Sequence, residues 1–161
     1  MKKIWSLLVL FLPIFILFSF TGCGSFTYDG NIYPLTNGAM EDYEEGDFDV
    51  VLASPGLNAA QWEGVGNVLW FDLVAPPGIG TPGTYDWNGT GGLLLWESGL
   101  SFNYNATADT GDWIYGDWEK AASEDYVTIS VNGSTYTIEF SITLQDGKVV
   151  TGNFTGPLPV V

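Results

Sequence analysis

YVTISVNGSTYTIEFSITLQDGKVVTGNFTG, residues 126–156, carries the clearest strand pattern in the chain. Val127, Ile129 and Val131 alternate with Thr128 and Ser130. Tyr136, Ile138, Phe140, Ile142 and Leu144 alternate with Thr135, Thr137, Glu139, Ser141 and Thr143. Successive side chains of a strand point to opposite faces. A period of two sustained from Thr135 to Leu144 therefore predicts a long strand with one dry and one wet face. Asn132-Gly133 reads as a type I′ turn, whose two central positions both need positive φ. Asp146-Gly147 turns the chain again, and Val150, Gly152 and Phe154 continue the inner face. Three strands joined by tight turns make an antiparallel meander.

The same signals recur upstream more faintly. Ser25 to Tyr28 and Asn31 to Leu35 flank Asp29-Gly30, and Asn37-Gly38 is expected to turn a second hairpin into Ala39 to Tyr43. Phe48, Val50 and Leu52 make an inner face. In Asn67 to Val74, Leu69, Phe71 and Leu73 share one face, and Val68, Trp70 and Asp72 the other. Gly83 to Trp87, Gly92 to Trp96 and Leu100 to Tyr104 read as short strands, whereas Asn58 to Trp62 and Trp118 to Glu124 could each hold one helical turn. Turn residues at such spacing, with β-branched and aromatic runs between them, predict an all-β domain. An antiparallel β-sandwich is expected, with a closed or partly open lipocalin-like barrel as the alternative.

Before Cys23 lie a basic start (Lys2, Lys3), an apolar run from Ile4 to Phe20, and Phe20-Thr21-Gly22. A basic start, an apolar run and small residues before a cut site form a secretory signal. A cysteine directly after the cut resembles the lipobox of bacterial lipoproteins, in which the thiol is acylated and anchors the chain. The resemblance implies a signal peptide over 1–22 and one domain over 23–161, held to the membrane through Cys23. An uncleaved anchor or a plain secretory signal are the alternatives. The mature chain keeps Lys120 and Lys148 against 19 acids, a formal 2 − 19 = −17. Such a surface repels nucleic acid and anionic lipid. With a single cysteine no intrachain disulfide can form. Disordered acidic chains are poor in aromatics, whereas this one keeps six of its seven tryptophans after the signal.

A wider resemblance rests on several segments: Tyr28-Asp29-Gly30, Tyr33-Pro34-Leu35-Thr36-Asn37-Gly38, Glu41-Asp42-Tyr43 and Phe48-Asp49-Val50-Val51-Leu52. Pro82-Gly83-Thr84-Tyr85, Tyr136 to Phe140, Asp146-Gly147 and Gly152-Asn153-Phe154-Thr155-Gly156 complete it. Together they look like the small all-β lipoproteins of Bacteroidetes. The resemblance implies a lipid-anchored place in the cell envelope, at the outer membrane, with the surface and periplasmic faces both open.

The chain has no histidine, and its one cysteine is assigned to lipid. That excludes Ser-His-Asp and Cys-His catalysis and histidine-based zinc sites. No glycine-rich phosphate loop is present. No enzymatic activity is expected, with a carboxylate-pair hydrolase as the alternative that needs neither histidine nor cysteine.

Binding is the better expectation. Asp112-Trp113-Ile114-Tyr115-Gly116-Asp117-Trp118-Glu119 sets three aromatics among three acids. Aromatic faces stack on the apolar side of a sugar ring while carboxylates accept hydrogen bonds from its hydroxyls. Tryptophan offers a flat apolar area and one N–H donor, which suits a half-wet site. The candidate ligand residues are Trp113, Tyr115, Asp117 and Trp118, with Trp70 and Asp72 as a second group. Calcium is the other use for acids, since it takes several oxygen ligands. Its candidates are Glu41, Asp42, Glu44, Glu45 and Asp47, with Asp109 and Asp112. No EF-hand spacing is present, and a solvated acidic loop is the plainer reading. Three functions stand: a lipid-anchored module that binds glycan, an envelope assembly component that binds protein partners, and a barrel around a small apolar ligand.

Overall fold

The computed structural model describes residues 22–117 and 125–161. Strand is almost their only regular structure. In chain order the strands are β1 (Cys23–Tyr28), β2 (Asn31–Leu35), β3 (Asn37–Asp42), β4 (Asp47–Ala53), β5 (Leu57–Asn58) and β6 (Glu63–Val74). After them come β7 (Gly83–Asp86), a 3₁₀ turn at Thr90–Gly92, β8 (Leu94–Asn105) and β9 (Thr110–Tyr115). The last three are β10 (Tyr126–Asn132), β11 (Thr135–Thr143) and β12 (Val149–Gly156).

One 12-stranded sheet runs in the order β2-β1-β12-β11-β10-β7-β8-β6-β4-β3, with β5 on β6 and β9 on β8. Its named pairs are antiparallel except the brief parallel contact of β7 with β8 at Asp86 and Leu94. The two ends of that order, β2 and β3, are consecutive in the chain. The chain changes partners at Thr36, whose carbonyl accepts from Gly22 N and whose N–H donates to Ala53 O, both at 2.9 Å. The C-terminal segment adds a parallel bridge from Val160 to Met40 of β3. The sheet is thereby rolled back on itself.

The inner face follows the alternation read from the sequence. Phe26, Phe48, Phe71, Phe140 and Phe154 are fully buried, along with Leu52, Leu69, Leu73, Ile138 and Ile142. Phe71 of β6 meets Phe140 of β11 across the core, with ring centroids 5.0 Å apart. Burying side chains of this size contributes about 1.5–3 kcal/mol each relative to exposure. The meander of β10, β11 and β12 stands as expected, with Ile138 opposite Ile129 on one side and Phe154 on the other. Gly152 lets β1 lie close to β12, because a Cβ there would fall 2.4 Å from Ser25 O.

Two turns differ from expectation. Asn132 is paired with Thr135, so Gly133-Ser134 forms the turn, and only Gly133 takes positive φ (62°). Glycine first and serine second is the II′ pattern, which keeps the strand twist as well as Asn-Gly does. Asn37-Gly38 does not turn at all; both lie inside β3. The Asn37 side chain instead donates to Leu57 O and accepts from Ala59 N, each at 2.8 Å. That tie to a distant loop satisfies the polar group a turn would have used. The segments Gly92 to Trp96 and Leu100 to Tyr104 merge into the single strand β8.

Candidate functional site

A strand buried on one face presents the other side chains outward, and here the outer face is not uniformly polar. On β3, β4, β6, β8 and β9 it carries a second apolar cluster of Ala39, Val51, Ala53, Val68 and Tyr104. Trp62, Trp70 and Trp113 pack against it. Strand register arranges these residues in rows. Val51 lies opposite Trp70, Trp70 opposite Gly99, and Gly99 opposite Tyr115. The neighbouring row runs Ala53, Val68, Ser101, Trp113. Tyr115 and Trp113 are two residues apart on β9 and so share a face. Their rings stack with centroids 6.1 Å apart and planes at 18°.

Trp62, Trp70, Trp113, Tyr115 and Asp49 line a concave pocket of about 330 Å³ on this face. Tyr104 stands edge-on to both Trp62 and Trp113, at 5.8 and 5.4 Å. It holds the two indoles in place. Its own hydroxyl donates to Asp109 at 2.8 Å, and burial first, then that bond, pushes its pKa up to about 12. Gly99 forms the floor between Trp70 and Trp113. A Cβ at that position would lie 3.4 Å from both rings, which is ordinary contact. Gly99→Ala should therefore leave the pocket intact. Gly99→Val should wedge the indoles apart, costing about 1–3 kcal/mol and abolishing ligand binding. Thermal melts read beside binding isotherms check this; a Val variant that binds like the parent would refute the floor role.

Acids border the aromatics. A third row, again by register, runs Glu41, Asp49, Asp72, Glu97 across β3, β4, β6 and β8. Like charges directly opposite one another are destabilising, so the row needs donors. Tyr43 donates to Glu41 at 2.8 Å and to Asp49 at 3.2 Å, and the Trp62 indole donates to Glu41. Burial pushes the Asp49 carboxyl up to about 6, against hydrogen bonds from the Trp70 indole and Tyr43 that favour its charged form. Asp72 is pushed up to about 7, by burial first and then by the charges of Asp49, Asp47 and Glu97. Its Oδ1 is buried without a hydrogen-bond partner among the described residues. The site therefore offers flat apolar faces beside strong acceptors.

Trp113, Tyr115 and Trp70 come together in the pocket, with Asp72 in the adjoining acidic row. Asp117 lies beyond the end of β9, buried, with its N–H on Thr143 O at 2.9 Å. Trp118 falls outside the described residues. Of the calcium candidates, Glu41 serves the acidic row, while Asp42 Oδ1 accepts from Glu44 N at 2.9 Å. Glu44 and Glu45 shape the β3–β4 turn with φ of 75° and 55°. Asp47 stands beside Asp72, Asp109 accepts from Tyr104, and Asp112 is exposed on β9. Among the described residues no three acids gather as a cation site. Cys23 is exposed at the first position of β1.

Sequence reasoning missed Trp62, Glu41 as a partner of Trp62, and Asp49 as a pocket residue. Asp49 was within reach, since it alternates with the inward Phe48 and Val50. Trp62 gave no signal, because it sits in the turns between β5 and β6 rather than on a strand with readable parity. Comparison with protein-family models, with curated proteins and with solved structures finds no match.

Proposed function

We propose that this protein is a lipid-anchored binding module of the cell envelope whose ligand is a glycan, and that it does no catalysis. One observation carries the reading: Trp62, Trp70, Trp113 and Tyr115 line one concave pocket with Asp49 at its side. Indole and phenol faces match the apolar faces of sugar rings, and the carboxylates match their hydroxyls. The signal-like start and Cys23 support anchoring. Because β1 begins at Cys23 itself, acyl chains there would hold the domain against the bilayer without a linker. Two chains give firm attachment, at about 0.8 kcal/mol per buried CH₂. The resemblance to Bacteroidetes envelope lipoproteins adds the outer membrane as the place.

The test is a glycan array probed with the full chain in detergent, once with calcium and once with chelator. Specific binding that falls at least tenfold in Trp113→Ala is the expected result. Calcium dependence would bring the Glu41–Asp49 turn region into the site. A blank array under both conditions would overturn the glycan reading and turn the search to protein partners.

A further inference from the structure

We infer that the ligand is a neutral glycan chain spanning two subsites, the second being a cleft at the start of β8. This inference rests on the glycan reading of the first pocket and extends it.

The second cleft has a volume of about 430 Å³ and is lined by Trp87, Leu94, Leu95, Trp96 and Glu97. A bulge creates it. Leu95 pairs with Leu73 and Glu97 with Asp72, so Trp96 is one residue too many for β6. Leu95 and Ser98 are both fully buried. The two residues between them, Trp96 and Glu97, are consequently both left on the outer side. Bulges re-aim side chains in this way, often beside functional sites. Trp96 is 63% exposed, a large flat apolar surface turned to the cleft.

The chemistry of the cleft selects a polar ligand with apolar faces. The Trp87 Nε1–H is buried and has no hydrogen-bond partner among the described residues. A buried donor left unmade costs about 1–3 kcal/mol, and a sugar hydroxyl or ring oxygen would satisfy it. A purely apolar occupant would not. Glu97 supplies the complementary acceptor.

The two sites are joined. Glu97 lines the second cleft and stands opposite Asp72; Asp72 stands opposite Asp49, which lines the first pocket. Trp96 and Gly99, the floor of the first pocket opposite Tyr115, are separated along β8 by roughly 10 Å at the usual rise of a strand. That span exceeds one sugar ring, so a single ring cannot touch both. The acidic row between the sites repels uronic, sulfated and phosphorylated chains and admits neutral ones.

The experiment titrates neutral gluco-, xylo- and manno-hexaoses, with their mono- and disaccharides, into the full chain in detergent. The best hexaose should bind at least tenfold more tightly than its disaccharide. Trp96→Ala should remove that gain and leave disaccharide affinity unchanged, with an unaltered melting temperature. Trp87→Phe, which keeps an aromatic face but deletes the N–H together with the pyrrole part of the indole, should lose part of it. Equal affinity for short and long probes, or a Trp96→Ala variant that keeps the gain, would overturn the two-subsite inference while leaving the first pocket standing. Silence from every probe, short and long, would overturn the glycan reading and this inference with it.

Discussion

Replacing Phe140 by Ala should lower the free energy of unfolding by about 3–5 kcal/mol. For a domain of this length that is a fall of roughly 10–15 °C in melting temperature. Phe140 is 1% exposed and sits where the rolled sheet meets itself, with its ring against Phe71. It also packs beside Gly152, whose missing side chain leaves room for the ring. Truncation removes the transfer free energy of a benzyl group and leaves a cavity that neither strand can close. Its neighbours are strands fixed by pairing on both sides, β10 and β12, so collapse into the hole is resisted. Single-domain stabilities are about 5–15 kcal/mol, so this one change would consume a large part of the total. Urea unfolding read by tryptophan fluorescence checks it. A loss below about 1 kcal/mol would mean that the opposite sides of the rolled sheet do not pack through Phe71 and Phe140.

Melting temperature should rise as pH falls from 8 to 5, contrary to the usual behaviour of carboxylates that gain partners on folding. Asp49 and Asp72 titrate at about 6 and about 7 in the folded chain and near 3.9 when unfolded. Between those values the folded state holds more protons than the unfolded one. Stability is then fully present below about 4 and is lost as pH rises through 6 and 7. Asp86 and Asp146 are shifted down by hydrogen bonds that favour their charged forms. Their effect has the opposite sign but lies below about pH 4, outside this window. Asp72→Asn removes one charge from the Glu41, Asp49, Asp72, Glu97 row and supplies a donor for its neighbours. It should stabilise the protein at pH 8 by about 1 kcal/mol, after allowing for screening at a half-buried site, and by almost nothing at pH 5. Melts of both proteins across pH 4.5–8 test it. A parent profile that is flat, or an Asn variant with the parent's slope, would show that burial does not hold the Asp49 and Asp72 carboxyls up in the folded chain.

How much of this was legible beforehand depended on whether a residue's role was local. The period of two from Thr135 to Leu144 assigned Ile138, Phe140 and Ile142 to the core without any partner being known. Parity alone also placed Trp70 and Asp72 on the face opposite Leu69 and Phe71, and Trp113 with Tyr115. What parity could not supply was that Trp70 shares one pocket with Trp113 and Tyr115. Trp70 and Trp113 are brought together because β6 and β9 are both neighbours of β8, and strand order is not written in any single strand. Asn37-Gly38 misled for the same reason. A dipeptide that favours a turn in isolation stayed extended, because Asn37 found partners at Leu57 and Ala59 that lie twenty or more residues away.

An all-β chain, the inward face of its strands, the acidic surface and the exclusion of histidine chemistry are all readable before the chain folds. Each of these follows from side-chain type or from alternation along the backbone, which act over one or two residues. The rolled sheet, the four-ring pocket, the acidic row and the bulge that turns Trp96 outward arise only on folding. Those depend on register between strands, and register is fixed only when the buried faces of distant segments pack together and pay the entropy of bringing them there.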